Sequence, residues 1–390
     1  MDKELRILFV EDSETDADLL IRFLKRESIN FSYTRVWSKN DFIIELKKNI
    51  FDIIIADHSL PQFSGMEAYR IAKKENKNIP FILVTGTVTE NILTEYAKEG
   101  IDDYILKENL LRLPSAIQNV ISKKKIEQLN YDLEIAQKNI TDSINYAKTI
   151  QNAMLPDTAL FSDTFPESFG LYKPKDILSG DFYWFKKVEN TFFIAAADCT
   201  GHGIPGALMS MIGIEKLNNL ALTTNEPSEI LKQLNKSIET ALCQSTLYEH
   251  SQDGMDIALC SLDNETKILK FSGANRPLWI IRNGKSEIEE IKGTKKAIGG
   301  ILTEQCPNFK STQIQLQKGD TFYIFTDGFA DQFGGEFQKK LTSQGLKKLM
   351  LDIQNIPMNQ QEMHLNNFLE KWKNGAEQVD DILIIGIRQE

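Results

Sequence analysis

Cysteine is scarce in this 390-residue sequence: Cys199, Cys243, Cys260 and Cys306 are its only four, and they lack paired spacing. That excludes a disulfide framework and a clustered zinc site, and leaves reduced, mostly buried thiols as the expectation. Long apolar runs are missing too. None approaches the roughly 18 residues of a membrane span, and Met1-Asp2-Lys3-Glu4 has no signal-peptide character. A cytoplasmic protein with no membrane segment is expected. Positive charge is in deficit, with 45 Lys and Arg against 55 Asp and Glu and a net charge of -10. Nucleic-acid binding needs the opposite balance, and no basic helix-turn-helix stands out, so a transcription factor is disfavoured. What remains is a 42% hydrophobic composition, ample for two or three packed domains.

Residues 1–122 alternate short apolar runs with amphipathic stretches. Leu5 to Val10, Phe31 to Val36, Asp52 to Ala56, Phe81 to Val84 and Asp103 to Leu106 read as strands. Helices are predicted near 16–27, 39–49, 65–76, 89–99 and from about 110. Five strand-helix units imply a doubly wound five-stranded parallel sheet, whose functional groups gather at the carboxyl ends of the strands. Those ends carry Glu11, Asp12, Asp57, Thr85 and Lys107. The set suits Mg2+-assisted phosphoryl transfer onto a carboxylate. Asp57 is the nucleophile, Glu11 and Asp12 hold the metal with it, and Thr85 and Lys107 meet the phosphate oxygens. With Asp57-His58-Ser59-Leu60-Pro61 and Gly65 following, the segment resembles a response-regulator receiver domain. The resemblance implies Asp57 as phosphoacceptor, a switch made of Thr85, Tyr104 and Lys107, and a histidine kinase as partner. One departure is Glu108, where the family has a proline that helps aim the lysine.

Residues 114–156 contain no glycine and carry apolar positions at Ile126, Leu129, Leu133, Ala136 and Ile140, then Ile144, Ala147, Ile150 and Met154. The early spacing is heptad-like, with a stutter after Ile140. A helix of about 40 residues, roughly 60 Å long, ends at Leu155-Pro156-Asp157. Too narrow an apolar stripe to stand alone, it predicts a parallel homodimeric coiled coil over the linker 123–159, or else a helix packed back on its own domain.

From 160 to 390 the pattern is rich in strands, at 167–173, 182–188, 192–197, 256–263, 268–272, 278–283, 286–291, 312–316, 321–326 and 382–388. Helices are expected at 205–222, 227–243, 337–354 and 359–373. The ratio suggests an α/β sandwich of two packed sheets flanked by helices. Aspartates stand at the edges of the apolar runs: Asp181 in Ser179-Gly180-Asp181-Phe182, Asp198 after Phe192 to Ala197, Asp327 after Phe322 to Thr326, and Asp380-Asp381 before Ile382 to Ile385. Carboxylates on strand ends converge when the strands share a core, and such a set can hold two hard divalent cations that activate water beside a phosphoryl group.

These motifs, with Ala197-Asp198-Cys199-Thr200-Gly201-His202-Gly203-Ile204-Pro205-Gly206-Ala207 and Gly273-Ala274-Asn275, resemble in order the PPM (protein phosphatase 2C-like) serine/threonine phosphatases. The branch is the bacterial one typified by stage II sporulation protein E, and Ile150 to Pro156 resembles the helix that joins sensor domains to it. The resemblance implies two Mn2+ or Mg2+ ions, with Asp198 as bridging ligand and Asp181, Asp327 and Asp380 completing the shells. Asp381 is a neighbour of those shells, and Cys199, where the family often has glycine, ligates through its main-chain carbonyl. It also implies hydrolysis of phosphoserine or phosphothreonine by metal-activated water without a covalent intermediate. His202 either protonates the leaving alkoxide or shapes the turn. Lys173, Lys175 and Arg276 either meet the substrate phosphate or are surface charges.

The combined expectation is a two-component response regulator whose phosphorylated receiver controls a protein phosphatase acting on a phosphorylated anti-anti-sigma (STAS-type) protein. The alternative is a non-catalytic scaffold that binds a partner through a phosphatase-like domain.

Overall fold

The computed structural model describes residues 4–61, 63–75, 78–86, 90–242, 253–300 and 307–390, the side chains of 90–93 and 158–160 excepted. Cys243 and Cys306 lie outside the described residues, whereas Cys199 and Cys260 are buried free thiols. The chain divides into two units, residues 1–139 and 140–390.

The first unit runs β1 (Leu5–Val10), α1 (Glu14–Arg26), β2 (Phe31–Val36), α2 (Lys39–Lys48), β3 (Ile53–Asp57), α3 (Gly65–Lys74), β4 (Phe81–Thr85), α4 (Glu90–Glu99) and β5 (Asp103–Leu106). The sheet is parallel in the order β2-β1-β3-β4-β5. The inner strands are apolar on both faces because both are covered: Leu20, Leu24 and Ile117 pack on one side, Phe42, Leu46 and Met66 on the other. Register does the positioning. Val10 pairs with Ala56, Asp57 with Val84, and Thr85 with Leu106, so Glu11, Asp57, Thr85 and Lys107 come out side by side at one edge.

A 3₁₀ turn at Lys107–Arg112, kinked at Asn109, leads into α5 (Leu113–Met154), a helix of 42 residues. Its first turns bury Leu113, Ala116, Ile117 and Val120. Ile126, Leu129, Leu133 and Ile140 are exposed by 58, 56, 65 and 62%, so among the described residues nothing covers the heptad face. No described helix is long and apolar enough to cross a membrane.

The second unit continues with α6 (Thr158–Thr164), β6 (Ser168–Lys173), β7 (Phe182–Val188), β8 (Thr191–Cys199), α7 (Gly203–Leu220), α8 (Pro227–Ala241), β9 (Gly254–Asp263), β10 (Ile268–Ala274), β11 (Leu278–Ile281) and β12 (Glu289–Ile291). It ends with β13 (Ile298–Gly299), β14 (Thr312–Gln315), β15 (Thr321–Phe325), α9 (Gly328–Asp331), β16 (Phe333–Gly334), β17 (Lys339–Lys340), α10 (Thr342–Ile353), α11 (Met358–Lys373) and β18 (Ile382–Arg388). Two sheets, β14-β10-β9-β8-β7 and β12-β11-β15-β18-β6, enclose Ile194, Cys260, Phe271, Phe322, Ile324 and Leu383 between them. The helices α7 and α8 cover one outer face and α10 and α11 the other, completing the expected sandwich.

The predicted helix over 337–354 starts late. Lys339 and Lys340 pair with Gly334 and Phe333, and the Leu341 amide donates to the Gln332 carbonyl at 3.1 Å. Gly335, at φ 68°, turns the chain back before the helix can begin. The short elements α6, α9, β13, β16 and β17 carry too little periodicity to read.

Candidate functional sites

In the first unit Glu11, Asp12 and Asp57 bring a carboxylate oxygen each to within 4.8 Å of one another. Burial, eased by the Ser13 amide and reinforced by Asp57, pushes Glu11 up to about 7. Its Oε2 is buried without a hydrogen bond. An orphaned oxygen in a set of three carboxylates fits a hard divalent ion such as Mg2+. Lys107 reaches Asp57 at 2.8 Å without the neighbouring proline, and also pairs with Asp16, a residue the sequence reading passed over. Thr85 is buried and hydrogen-bonds the Tyr96 hydroxyl, which lies 2.8 Å from His58 Nδ1. The Tyr104 ring packs 5.8 Å from that of Tyr96. Tyr96 thus stands between Thr85 and Tyr104; no motif marks it.

In the second unit, Asp181 precedes β7, Asp198 lies at the end of β8, Asp327 caps α9 after β15, and Asp380 and Asp381 precede β18. The sandwich brings these ends together. Thr326 Oγ1 donates to Asp181 Oδ2 at 2.6 Å and accepts from the Leu383 amide at 3.0 Å, tying three strands at one point. The Tyr172 hydroxyl donates to the Asp181 carbonyl at 3.1 Å. Asp381 accepts from the Lys175 and Gly180 amides, each at 2.7 Å, and so anchors the loop that carries Asp181. Asp380 in turn accepts from the Asp381 amide. Glycine is required at 206, where a methyl group would run into the Gly201 carbonyl; this close approach shapes the turn after Cys199. The Cys199 thiol points into the core, where burial pushes it up, so only its carbonyl is left for a ligand.

Asp256 is the residue the sequence reading missed. It opens Ile257-Ala258-Leu259-Cys260 as the other aspartates open or close their apolar runs, so the same signal was present. On β9 it sits in direct register with Asp198. Arg276, from the turn after β10, is no surface charge: its side chain is 12% exposed and lies among Asp198, Asp327 at 2.9 Å and Asp256 at 3.5 Å. Lys173, by contrast, pairs outward with Glu370 at 2.5 Å.

Burial pushes Asp198 up to about 7, with Arg276 pulling it down and Asp327, Asp380 and Asp256 adding to the rise. Burial also holds Asp181 well above the carboxylate range, and raises Asp256 and Asp380. A single guanidinium does not balance so many acids. An all-oxygen set left short of positive charge fits hard divalent cations and no soft metal.

The cluster opens on a cleft of about 310 Å³ lined by Asp198, Cys199, Thr200, His202, Asp256 and Asp380. His202, exposed at its rim, holds Asp176 by Nδ1 at 2.7 Å, a partner the turn motif did not announce. Beneath, Gln151 near the end of α5 is buried. Its Nε2 donates to the Ser179 carbonyl at 2.7 Å and to Ser210 Oγ at 2.9 Å, and its Oε1 accepts from the Ser179 amide at 3.3 Å.

Residues 189–390, more than half of the chain, match the profile of the Stage II sporulation protein E (SpoIIE) family. The chain belongs to that family. Residues 7–118 match the response regulator receiver domain. Phosphoserine phosphatase RsbU of Bacillus subtilis is 27% identical over 196 residues, which are 50% of this chain and 55% of that protein. Response regulator SaeR of Staphylococcus aureus is 26% identical over 133 residues, 32% of this chain and 57% of that protein. Among solved structures, the SiaA-PP2C domain of Pseudomonas aeruginosa is similar at 33% identity and a TM-score of 0.59, over 65% of this chain and 99% of that domain. The chain spans little more than half the length of these two curated relatives. A receiver domain is therefore joined here to a SpoIIE-family domain that is similar to a solved PP2C domain.

Proposed function

We propose that this protein is a response regulator in which phosphorylation of Asp57 controls a metal-dependent phosphoserine/phosphothreonine protein phosphatase. The observation that carries the reading is the buried acidic cluster in which Arg276 pairs with Asp198, Asp256 and Asp327 while Asp181 and Asp380 act electrostatically on the same group, beside a cleft lined by Asp198, Asp256 and Asp380. The functional parts are a receiver at 1–122, a linker at 123–159 and a phosphatase domain at 160–390.

Mg2+ belongs in the receiver, on Glu11, Asp12 and Asp57; two Mn2+ or Mg2+ ions on the phosphatase aspartates would supply a water of lowered pKa and neutralise the phosphoryl oxygens. Around them the chain's own residues hold the geometry. Thr326 fixes Asp181, Asp381 fastens the loop over it, and Cys199 lines the cleft, where its main-chain carbonyl would be the ligand. His202, oriented through Nδ1 by Asp176, has Nε2 to deliver a proton to the leaving alkoxide of the phosphorylated residue.

Regulation runs from Asp57 through the Thr85–Tyr96–Tyr104 group to the receiver surface and on to α5, which pairs with a second copy through its exposed Ile126, Leu129, Leu133 and Ile140. Gln151 then transmits the state of the helix to Ser179, two residues before Asp181. A histidine kinase supplies the phosphoryl group. A phosphorylated STAS-type protein is the substrate class that fits the family resemblance.

The test is Mn2+-dependent hydrolysis of para-nitrophenyl phosphate by the full chain, with and without beryllofluoride, and with Asp327→Asn and Asp57→Asn. Turnover lost in Asp327→Asn, and a beryllofluoride effect lost in Asp57→Asn, are expected. A beryllofluoride response that persists in Asp57→Asn would sink the regulatory half. No turnover, even with phosphoprotein, would leave a partner-binding scaffold.

A further inference from the structure

Arg276 occupies a place where a cation other than a metal ion does electrostatic work. Its turn is fixed: the Asn275 amide donates to Thr294 at 2.8 Å and the Arg276 amide to Ala274 at 2.7 Å, with Asn275 at φ 58°. Asn275 Nδ2 also donates to Asp256 Oδ1 at 2.7 Å, so the turn and the Asp256 carboxylate are one assembly. From it the guanidinium extends inward, and its Nη2 alone serves Asp198, Asp327 and Asp256. The Nε atom is buried with no hydrogen-bond partner. An arginine at a permanent carboxylate site offers two parallel donors from its fork. Here one nitrogen carries the whole contact while a second donor goes unmet, which makes the arrangement a weakly held one.

We propose that Arg276 is a tethered competitor for the divalent ion. With no ion bound it neutralises Asp198, Asp256 and Asp327. An ion that takes Asp198 and Asp327 displaces the guanidinium toward Asp256, which its own turn already holds. The inference rests on the metal-dependent reading given above and deepens it. Its consequence is that metal affinity is deliberately held down. Small shifts of the aspartate loops then decide occupancy, because the ion must outcompete a charge that is always present at high local concentration.

The experiment is calorimetric titration of the full-length chain with Mn2+, and its melting temperature with and without Mn2+, for the parent, Arg276→Gln and Arg276→Lys. In Arg276→Gln, Mn2+ binds about tenfold tighter or more, since a competing charged hydrogen-bond set has gone. Its metal-free melting temperature falls while the rise on adding Mn2+ grows. Arg276→Lys lies between, because an ammonium cannot span the same carboxylates. Unchanged or weaker Mn2+ binding in Arg276→Gln overturns the proposal and leaves the phosphatase reading intact. Should Arg276→Gln not fold without metal, Arg276→Lys decides by the same criterion. A parent that binds no Mn2+ overturns both.

Discussion

Replacing Gln151 by leucine isolates the contact between the end of α5 and the loop that carries Asp181. Leucine fills much the same space, so little of the effect comes from a cavity. What is lost is the partner of the Ser179 amide and carbonyl, and Ser179 itself has no exposed surface. Ser210 keeps its bond to the Ala207 carbonyl at 2.8 Å and is less affected. Two buried backbone groups left unpaired cost about 1–3 kcal/mol each, so the phosphatase domain loses roughly 2–6 kcal/mol. For a domain of this size that lowers the melting temperature by about 4–24 °C.

The second readout is metal binding. Gly180, next to Ser179, donates to Asp381, and Asp181 follows it, so a loop freed at Ser179 loses the placement of two carboxylates. Mn2+ affinity measured by calorimetry falls with the melting temperature, whereas a merely structural role would lower the second alone. A Gln151→Leu chain that melts within about 1 °C of the parent and binds Mn2+ equally well would refute the reasoning.

The pH dependence of the metal-free chain has a definite sign. Asp198 ionises at about 7 when folded, against its ordinary value of 3.8, so between those values the folded chain binds the extra proton. Stability present at pH 4 is therefore lost as the pH rises to 7, with a ceiling of about 4 kcal/mol; a metal-free melting temperature that climbs over that window contradicts the cluster. The linker gives another test. With Ile126 and Leu133 changed to aspartate, light scattering is expected to show a monomer where the parent is a dimer, and a parent that is monomeric at tens of micromolar would remove the coiled coil from the regulatory scheme.

Much of this was legible because strands that cross a core must end at its edge. A polar residue closing or opening Phe192 to Ala197, Phe322 to Phe325 or Ile382 to Ile385 therefore had to appear at one end of the sandwich, and Asp198, Asp327 and Asp380 do. The receiver was more legible still: parallel register fixes Glu11, Asp57, Thr85 and Lys107 as neighbours once the strands are read. What escaped were partners brought in across the fold, whose sequence distance hides them. Gln151 meets Ser210 over 59 residues, Arg276 meets Asp198 over 78, and Lys107 meets Asp16 over 91. Nothing local marks a glutamine in a polar helix or an arginine in a turn. The role of Asp381 was blurred for a similar reason, since adjacent aspartates look alike until one is seen to accept two backbone amides.

The two acidic pockets solve one electrostatic problem in two ways, and the choice of cation follows the chemistry each must allow. Three carboxylates around Lys107 and three around Arg276 would repel strongly if bare. On the proposed chemistry the receiver cation must turn to a phosphoryl group formed on Asp57 itself, and a compact ammonium on a flexible stem can follow it with little rearrangement. In the phosphatase the cation must yield its carboxylates and remain close by. A guanidinium, whose charge is spread and whose donors are several, can release Asp198 and Asp327 and turn toward Asp256, which the same nitrogen already faces at 3.5 Å. Exchanging the two residue types, Lys107→Arg and Arg276→Lys, therefore conserves charge at each site and still disturbs both, the first by obstructing the space the phosphoryl group needs and the second by removing the foothold on Asp256.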